Sequence, residues 1–161
     1  MPKHLFICRH AEAADPAPGF PDLDRNLTAT GIMQARITGN WLQTHYQVQA
    51  IMASTARRTR QTAQILAEMV HLLPATILFE ENLYNAHPAK IIQAVLQLPD
   101  DVDNVVLVGH NPGISMVIEE LTGTNPGYLE PANLAVVTFD AGSWQETEIT
   151  PGKLQEIFRP Q

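Results

Sequence analysis

The sequence predicts a three-layer α/β/α fold, with a mostly parallel central sheet and an antiparallel C-terminal edge. Three observations predict it. Short apolar runs alternate with segments of helical periodicity. One run, 104–108 (Asn-Val-Val-Leu-Val), is apolar without alternation, as a strand covered on both faces should be. The last two strand-like runs, 134–140 and 144–149, follow each other around Ala141-Gly142 with no helix between, which reads as a hairpin.

The elements follow in order. Residues 4–8 form a strand, and Arg9-His10 comes directly after it. The stretch 15–24, with Pro16, Pro18, Gly19 and Pro21, reads as a loop. Thr28 caps a helix running to about His45, with Ile32, Ala35, Gly39 and Leu42 as its buried stripe. A second strand covers 48–53. Ser54 or Thr55 then caps a helix to about His71, its apolar face made by Ala63, Ile65, Leu66 and Met69. Residues 76–79 form a third short strand, and Pro88 opens a helix carrying Ile91, Ile92, Val95 and Leu96. After the strand at 104–108, Pro112 starts a helix through Leu121, with Asn111 as its cap.

Length and composition bound what the chain can do. Its 161 residues suit one domain spanning 1–161, and 45% hydrophobic residues suffice for a packed core. Ten Lys plus Arg against seventeen Asp plus Glu give a net charge of −7, a field that disfavours nucleic acid. A single cysteine excludes an internal disulfide, and the apolar run 5–8 is too short for a membrane span. The expectation is a soluble, cytoplasmic protein without nucleic-acid or membrane partners.

In a parallel sheet flanked by helices, ligands collect at the carboxyl ends of the strands. The residues there are Arg9-His10, 54–58, Glu80-Glu81 and Gly109-His110-Asn111. Four segments thus bring Arg, His, Arg and His to one sheet edge. Guanidinium groups fork onto phosphate oxygens, and a neutral imidazole is a nucleophile. Such a pocket suits a tetrahedral dianion and the transition state of phosphoryl transfer. Each fragment alone also fits a structural role: a tight turn at 109–113, or a solvated helix start at Arg57, Arg58 and Arg60. Their coincidence at strand ends favours the phosphate site.

Other chemistries fail on spacing. There is no Gly-x4-Gly-Lys-Ser/Thr loop and no Gly-x-Gly-x-x-Gly after a strand. Cys8 has Ala14, not arginine, six residues on, so the loop of a cysteine-dependent phosphatase is absent. Asp22-Leu23-Asp24 lies in a Pro-rich loop and not after an apolar strand. His-x-His and His-Glu-x-x-His are both missing, which argues against zinc.

At these same residues the chain resembles the histidine phosphatase superfamily, with its phosphoglycerate mutase-like fold, and in particular the short SixA-type phosphohistidine phosphatases. The resemblance is carried by Arg9-His10-Ala11-Glu12-Ala13, by 24–28 with Gly31 and Ala35, and by 54–58 with Gln61-Thr62-Ala63. Leu83-Tyr84-Asn85-Ala86 and 108–113 complete it. It implies a hydrolase in which His10 is the nucleophile and becomes a phosphohistidine. Arg9 and Arg58 clamp the non-bridging oxygens, with Arg58 selected by its register four residues before Thr62. His110 donates to the same oxygens. Glu81 is the carboxylic acid nearest the place where the superfamily keeps its proton donor, with Glu80 and Glu12 behind it. No metal or other cofactor is implied. The implied substrate is phosphohistidine on a protein domain, with a small phosphorylated metabolite as the alternative and a non-catalytic phosphoprotein binder as a third reading.

Overall fold

The computed structural model describes residues 2–160. The strands are β1 (Lys3–Arg9), β2 (Ala50–Ser54), β3 (Leu78–Glu80), β4 (Asn104–Gly109), β5 (Leu134–Phe139) and β6 (Lys153–Phe158). The helices are α1 (Ala29–His45), α2 (Arg57–Met69), α3 (Pro88–Leu96) and α4 (Gly113–Thr122). They build one sheet in the order β3-β2-β4-β1-β5-β6. The pairs β3–β2, β2–β4 and β4–β1 are parallel, whereas β5 and β6 join antiparallel. This is the α/β sheet with an antiparallel edge that the sequence predicts.

The period of two along β1 divides the core into two layers. Leu5 and Ile7 face one cluster with Ile91, Val95, Ile114 and Ile118 of α3 and α4. Phe6 and Cys8 face the other, with Leu42 of α1 and Ala63 and Leu66 of α2. Burial on both faces explains why β4 is apolar without alternation after Asn104.

Four local expectations need correction. The strand that pairs with β5 is Lys153–Phe158, not 144–149. Trp144 is fully buried, donating its indole N–H to the Val102 carbonyl at 2.7 Å, and the chain then coils through a 3-10 turn, Gln145–Glu148. Anchoring of that one large ring overrides the strand-like pattern around it. The buried stripe of α1 runs through Gly31, Ala35, Thr38, Gly39 and Leu42, leaving Ile32 exposed. Thr38 escapes a hydrophobic reading because it is polar, yet it is satisfied inside by donating to the Ala132 carbonyl at 2.9 Å. Neither Ser54 nor Thr55 caps α2, whose N-cap is Ala56. Asn111 does not cap α4 either: its amide donates to the Leu129 carbonyl at 2.8 Å, and Pro112 takes the N-cap position.

Candidate active site

The parallel strands β1, β2, β3 and β4 end at one edge, and the register of β1 on β4 pairs Arg9 with Gly109. The next residue on each strand is a histidine, so the sheet itself sets His10 beside His110. The His10 backbone N–H donates to the Gly109 carbonyl at 3.1 Å, and the two ring centroids are 5.5 Å apart. Both side chains are buried, 8% and 7% exposed. Arg58 lies near the start of α2, 4% exposed, with Nη2 3.4 Å from His110 Nδ1.

Hydrogen bonds fix the tautomers. His10 Nδ1 faces the Ala11 carbonyl at 2.7 Å, and a carbonyl only accepts, so Nδ1 carries the proton and Nε2 keeps a lone pair. Arg58 only donates, so His110 Nδ1 is the acceptor there, and Nε2–H points to Ser54 Oγ at 2.5 Å. The chain continues from Ser54 to Thr59 at 2.7 Å, and the Thr59 hydroxyl ends it on the Ser54 and Ala56 carbonyls. Ser54 thus orients a ring rather than capping a helix.

Both imidazoles are held neutral. Burial is the main force lowering the His10 pKa to about 4, opposed by the Ala11 hydrogen bond and reinforced by Arg58, Arg9 and Arg25. Burial likewise lowers His110 to about 3, helped by Arg58 and His10 and opposed by Asp22. Near neutral pH the site therefore holds an unprotonated Nε2 on His10 beside guanidinium charge. That combination can attack an electrophilic phosphorus while stabilising its oxygens. The Cys8 thiol, in contrast, is pushed up to about 12 by burial and is inert.

Arg9 and Arg58 each keep a buried Nε–H without a partner among the described residues. Arg9 Nη1 donates to the Tyr128 hydroxyl at 3.0 Å and the Leu129 carbonyl at 3.1 Å, and its guanidinium lies 5.5 Å from the Tyr128 ring centre. Arg57 reaches only Asp24 at 3.9 Å, and Arg60 stacks on Phe79, 4.3 Å from the ring centre. Glu81 opens the 3-10 turn Glu81–Leu83 right after β3. It is exposed, and its carboxylate makes no hydrogen bond or ion pair among the described residues.

Two residues join this group to which sequence reasoning gives no role in the site. Asp22 reaches in from the loop before α1 and accepts from Arg58 Nη2 at 3.0 Å, while its own carbonyl accepts from Arg58 Nη1 at 2.8 Å. Tyr84 donates its hydroxyl to the same Asp22 carboxylate and sets its ring edge-on to His110 at 5.5 Å. The only forewarning of Asp22 is an acidic pair inside a Pro-rich loop. The Tyr84 hydrogen bond, first among the causes, with Arg58 and Arg25 behind it, lowers the Asp22 carboxyl to about 2. A cavity of about 900 Å3 lies elsewhere, along α1 and α2 beside Ile32, Ile65 and Leu73, and none of the strand-end residues lines it. Among the described residues no group of three or more His, Cys, Asp and Glu is placed to hold a metal ion. No helix there is long and apolar enough to cross a membrane.

Residues 5–90 match the sequence profile of the histidine phosphatase superfamily, branch 1. The chain belongs to this superfamily. A protein of Mycobacterium leprae described as uncharacterised is 32% identical, over 94% of this chain and 99% of that one. A phosphohistidine phosphatase SixA homolog of Haemophilus influenzae is 29% identical over 85% of this chain and 88% of the relative. A crystal structure assigned to SixA of Agrobacterium tumefaciens superposes with a TM-score of 0.83 at 28% identity, covering 99% of both chains. The protein is thus a SixA-like histidine phosphatase, built to bind phosphate and remove it.

Proposed function

We propose that this histidine phosphatase removes the phosphoryl group from phosphohistidine on another protein. His10 Nε2 attacks phosphorus, forming a P–N bond as the P–N bond to the substrate imidazole breaks. Arg9 and Arg58 hold the non-bridging oxygens as their charge grows, and His110 joins them as a donor once its proton moves from Nε2, which faces Ser54, to Nδ1. Water then attacks the phosphorylated His10, releasing inorganic phosphate and returning the electron pair to Nε2. Glu81 supplies a proton where the leaving group requires one.

The observation carrying this reading is that, among the described residues, no acid is hydrogen-bonded to the histidine pair. Asp22, the carboxylate on Arg58, is ionised well below neutral pH. Glu81 is exposed and uncommitted. An alkoxide leaves badly without a fixed acid, whereas a protonated imidazole leaves readily. The exposed apolar side chains Phe20, Leu23 and Tyr128, on the loop bearing Asp22 and beside Arg9, suit contact with a protein surface.

The test compares wild type and His10→Ala on a phosphohistidine-bearing domain and on p-nitrophenyl phosphate. Turnover of the domain that vanishes in the variant is expected. Turnover of the ester alone would favour a small-metabolite phosphomonoesterase. Turnover of neither would favour a binder.

A further inference from the structure

On the side of His110 away from the sheet's antiparallel edge, the fold leaves a cavity of about 350 Å3, which His110 itself lines. One wall is the turn after β3 leading into α3, with Ala86, Pro88 and Ile91. The other is the start of α4, with Pro112 and Met116. The walls abut closely: a Cβ on Gly113 would stand 2.8 Å from the Ala86 carbonyl oxygen and 3.3 Å from Ile91 Cδ1. The turn and the helix thus approach too closely at residue 113 for any side chain larger than glycine's without a shift of the Ala86 backbone. The volume is near the lower end for small-molecule sites, which start at about 300 Å3.

The lining contains no Asp, Glu, Lys or Arg. Two of its polar side chains are already engaged. The Asn111 amide donates to the Leu129 carbonyl and its oxygen accepts from Ser115 at 3.1 Å. His87 Nδ1 accepts from the Ala89 N–H at 3.2 Å. What remains is mostly apolar surface, with the exposed Asn85 amide at its rim and a neutral imidazole that also meets the Arg58 guanidinium.

We infer that this cavity receives the substrate's leaving group and selects an uncharged one. The inference rests on the reading that the phosphoryl group binds among His10, His110 and Arg58. A second phosphate or a carboxylate placed there would meet mostly apolar surface and find no cation among the lining residues. A neutral ring loses little hydration and gains contact with Pro112, Ile91 and the adaptable Met116 thioether. Substrates with a second anionic group are thereby rejected, while an imidazole or an aryl group is accepted.

Phosphonates test this without turnover. Calorimetric titration of phenylphosphonate, methylphosphonate and 2-carboxyethylphosphonate into wild type should show phenylphosphonate binding about tenfold tighter than the other two. In Met116→Lys the phenyl-to-methyl ratio should fall to about one, and the carboxyethyl compound should become the preferred ligand. Equal affinities in wild type, or a phenyl preference that Met116→Lys retains, would overturn the proposal. If none of the phosphonates binds, the phosphoryl site is misassigned and the proposal falls with it. A preserved phenyl preference in an enzyme that turns over no phosphohistidine would instead overturn the activity alone and support the cavity.

Discussion

Asp22 lies on Arg58 as an anion would: one carboxylate oxygen is 3.0 Å from Nη2 and the main-chain oxygen 2.8 Å from Nη1. The loop before α1 therefore folds onto the strand-end group, and a bound phosphate has to share or displace this contact. Asp22 is about half-exposed, so breaking the pair costs little. Asp22→Asn should accordingly tighten orthophosphate binding several-fold, about three- to tenfold, by removing like-charge repulsion as well as competition. Calorimetric titration reads this directly. Because the carboxyl titrates near 2, the gain should be constant from about pH 4 to pH 8 on the protein side. Weaker phosphate binding in the variant would show that Asp22 holds Arg58 in place for phosphate and does not compete with it.

The buried histidines make stability depend on pH in a defined direction. Unfolded histidine titrates near 6.5, whereas native His10 titrates near 4 and native His110 near 3. Between these values the unfolded chain binds more protons, so stability is full above about pH 6.5 and falls as pH drops toward 4. For His10 alone the loss by pH 5 is about 2 kcal/mol. Urea denaturation at pH 7 and pH 5 should show at least that decrease, and His10→Gln should flatten the slope. Ring resonances of both histidines should still report neutral imidazole at pH 5. A His10 midpoint near 6.5 would contradict the burial argument.

How much of this was legible in the sequence depends on which force acts at each residue. The mostly parallel sheet follows from apolar runs alternating with helices, and burial on both faces leaves a compositional trace in β4. The proximity of His10 and His110 follows from one further step, that parallel strands end at the same edge. Asp22 was not legible, since a loop residue's reach is set by chain path and not by periodicity. The role of Ser54 was hidden by its second plausible use as a cap. Trp144 and β6 were misread because a single anchored ring outweighs a local alternation, and because an edge strand as polar as Lys153–Phe158 has no strong pattern.

Ser54 is the acceptor for a buried ring N–H, so its removal should affect both stability and activity. Ser54→Ala leaves His110 Nε2–H without its partner, at a cost of about 1–3 kcal/mol. The ring is then free to turn or to switch tautomer, and kcat/KM for phosphohistidine should fall about tenfold. Ser54→Thr, which keeps the hydroxyl, should recover most of the rate. Nitrogen chemical shifts of His110 separate the two effects: a changed tautomer in Ser54→Ala indicates loss of orientation, and unchanged shifts with a lower melting temperature indicate packing alone.

Glu81 follows β3 as the proposed donor, yet its carboxylate has no partner that would hold it toward the histidines. Its contribution should therefore depend on how much help the leaving group needs. An alkyl oxygen must be protonated as it departs, and general acid catalysis is worth about 100-fold or more for such a step. The imidazole of phosphohistidine needs far less. Glu81→Gln should cut kcat for an alkyl phosphate at least about tenfold and kcat for a phosphohistidine domain by less than about twofold. Losses equal on both substrates would remove Glu81 from proton transfer and leave it a surface residue. A large loss on phosphohistidine alone would mean that Glu81 contacts the protein substrate, since no proton-transfer argument yields that order.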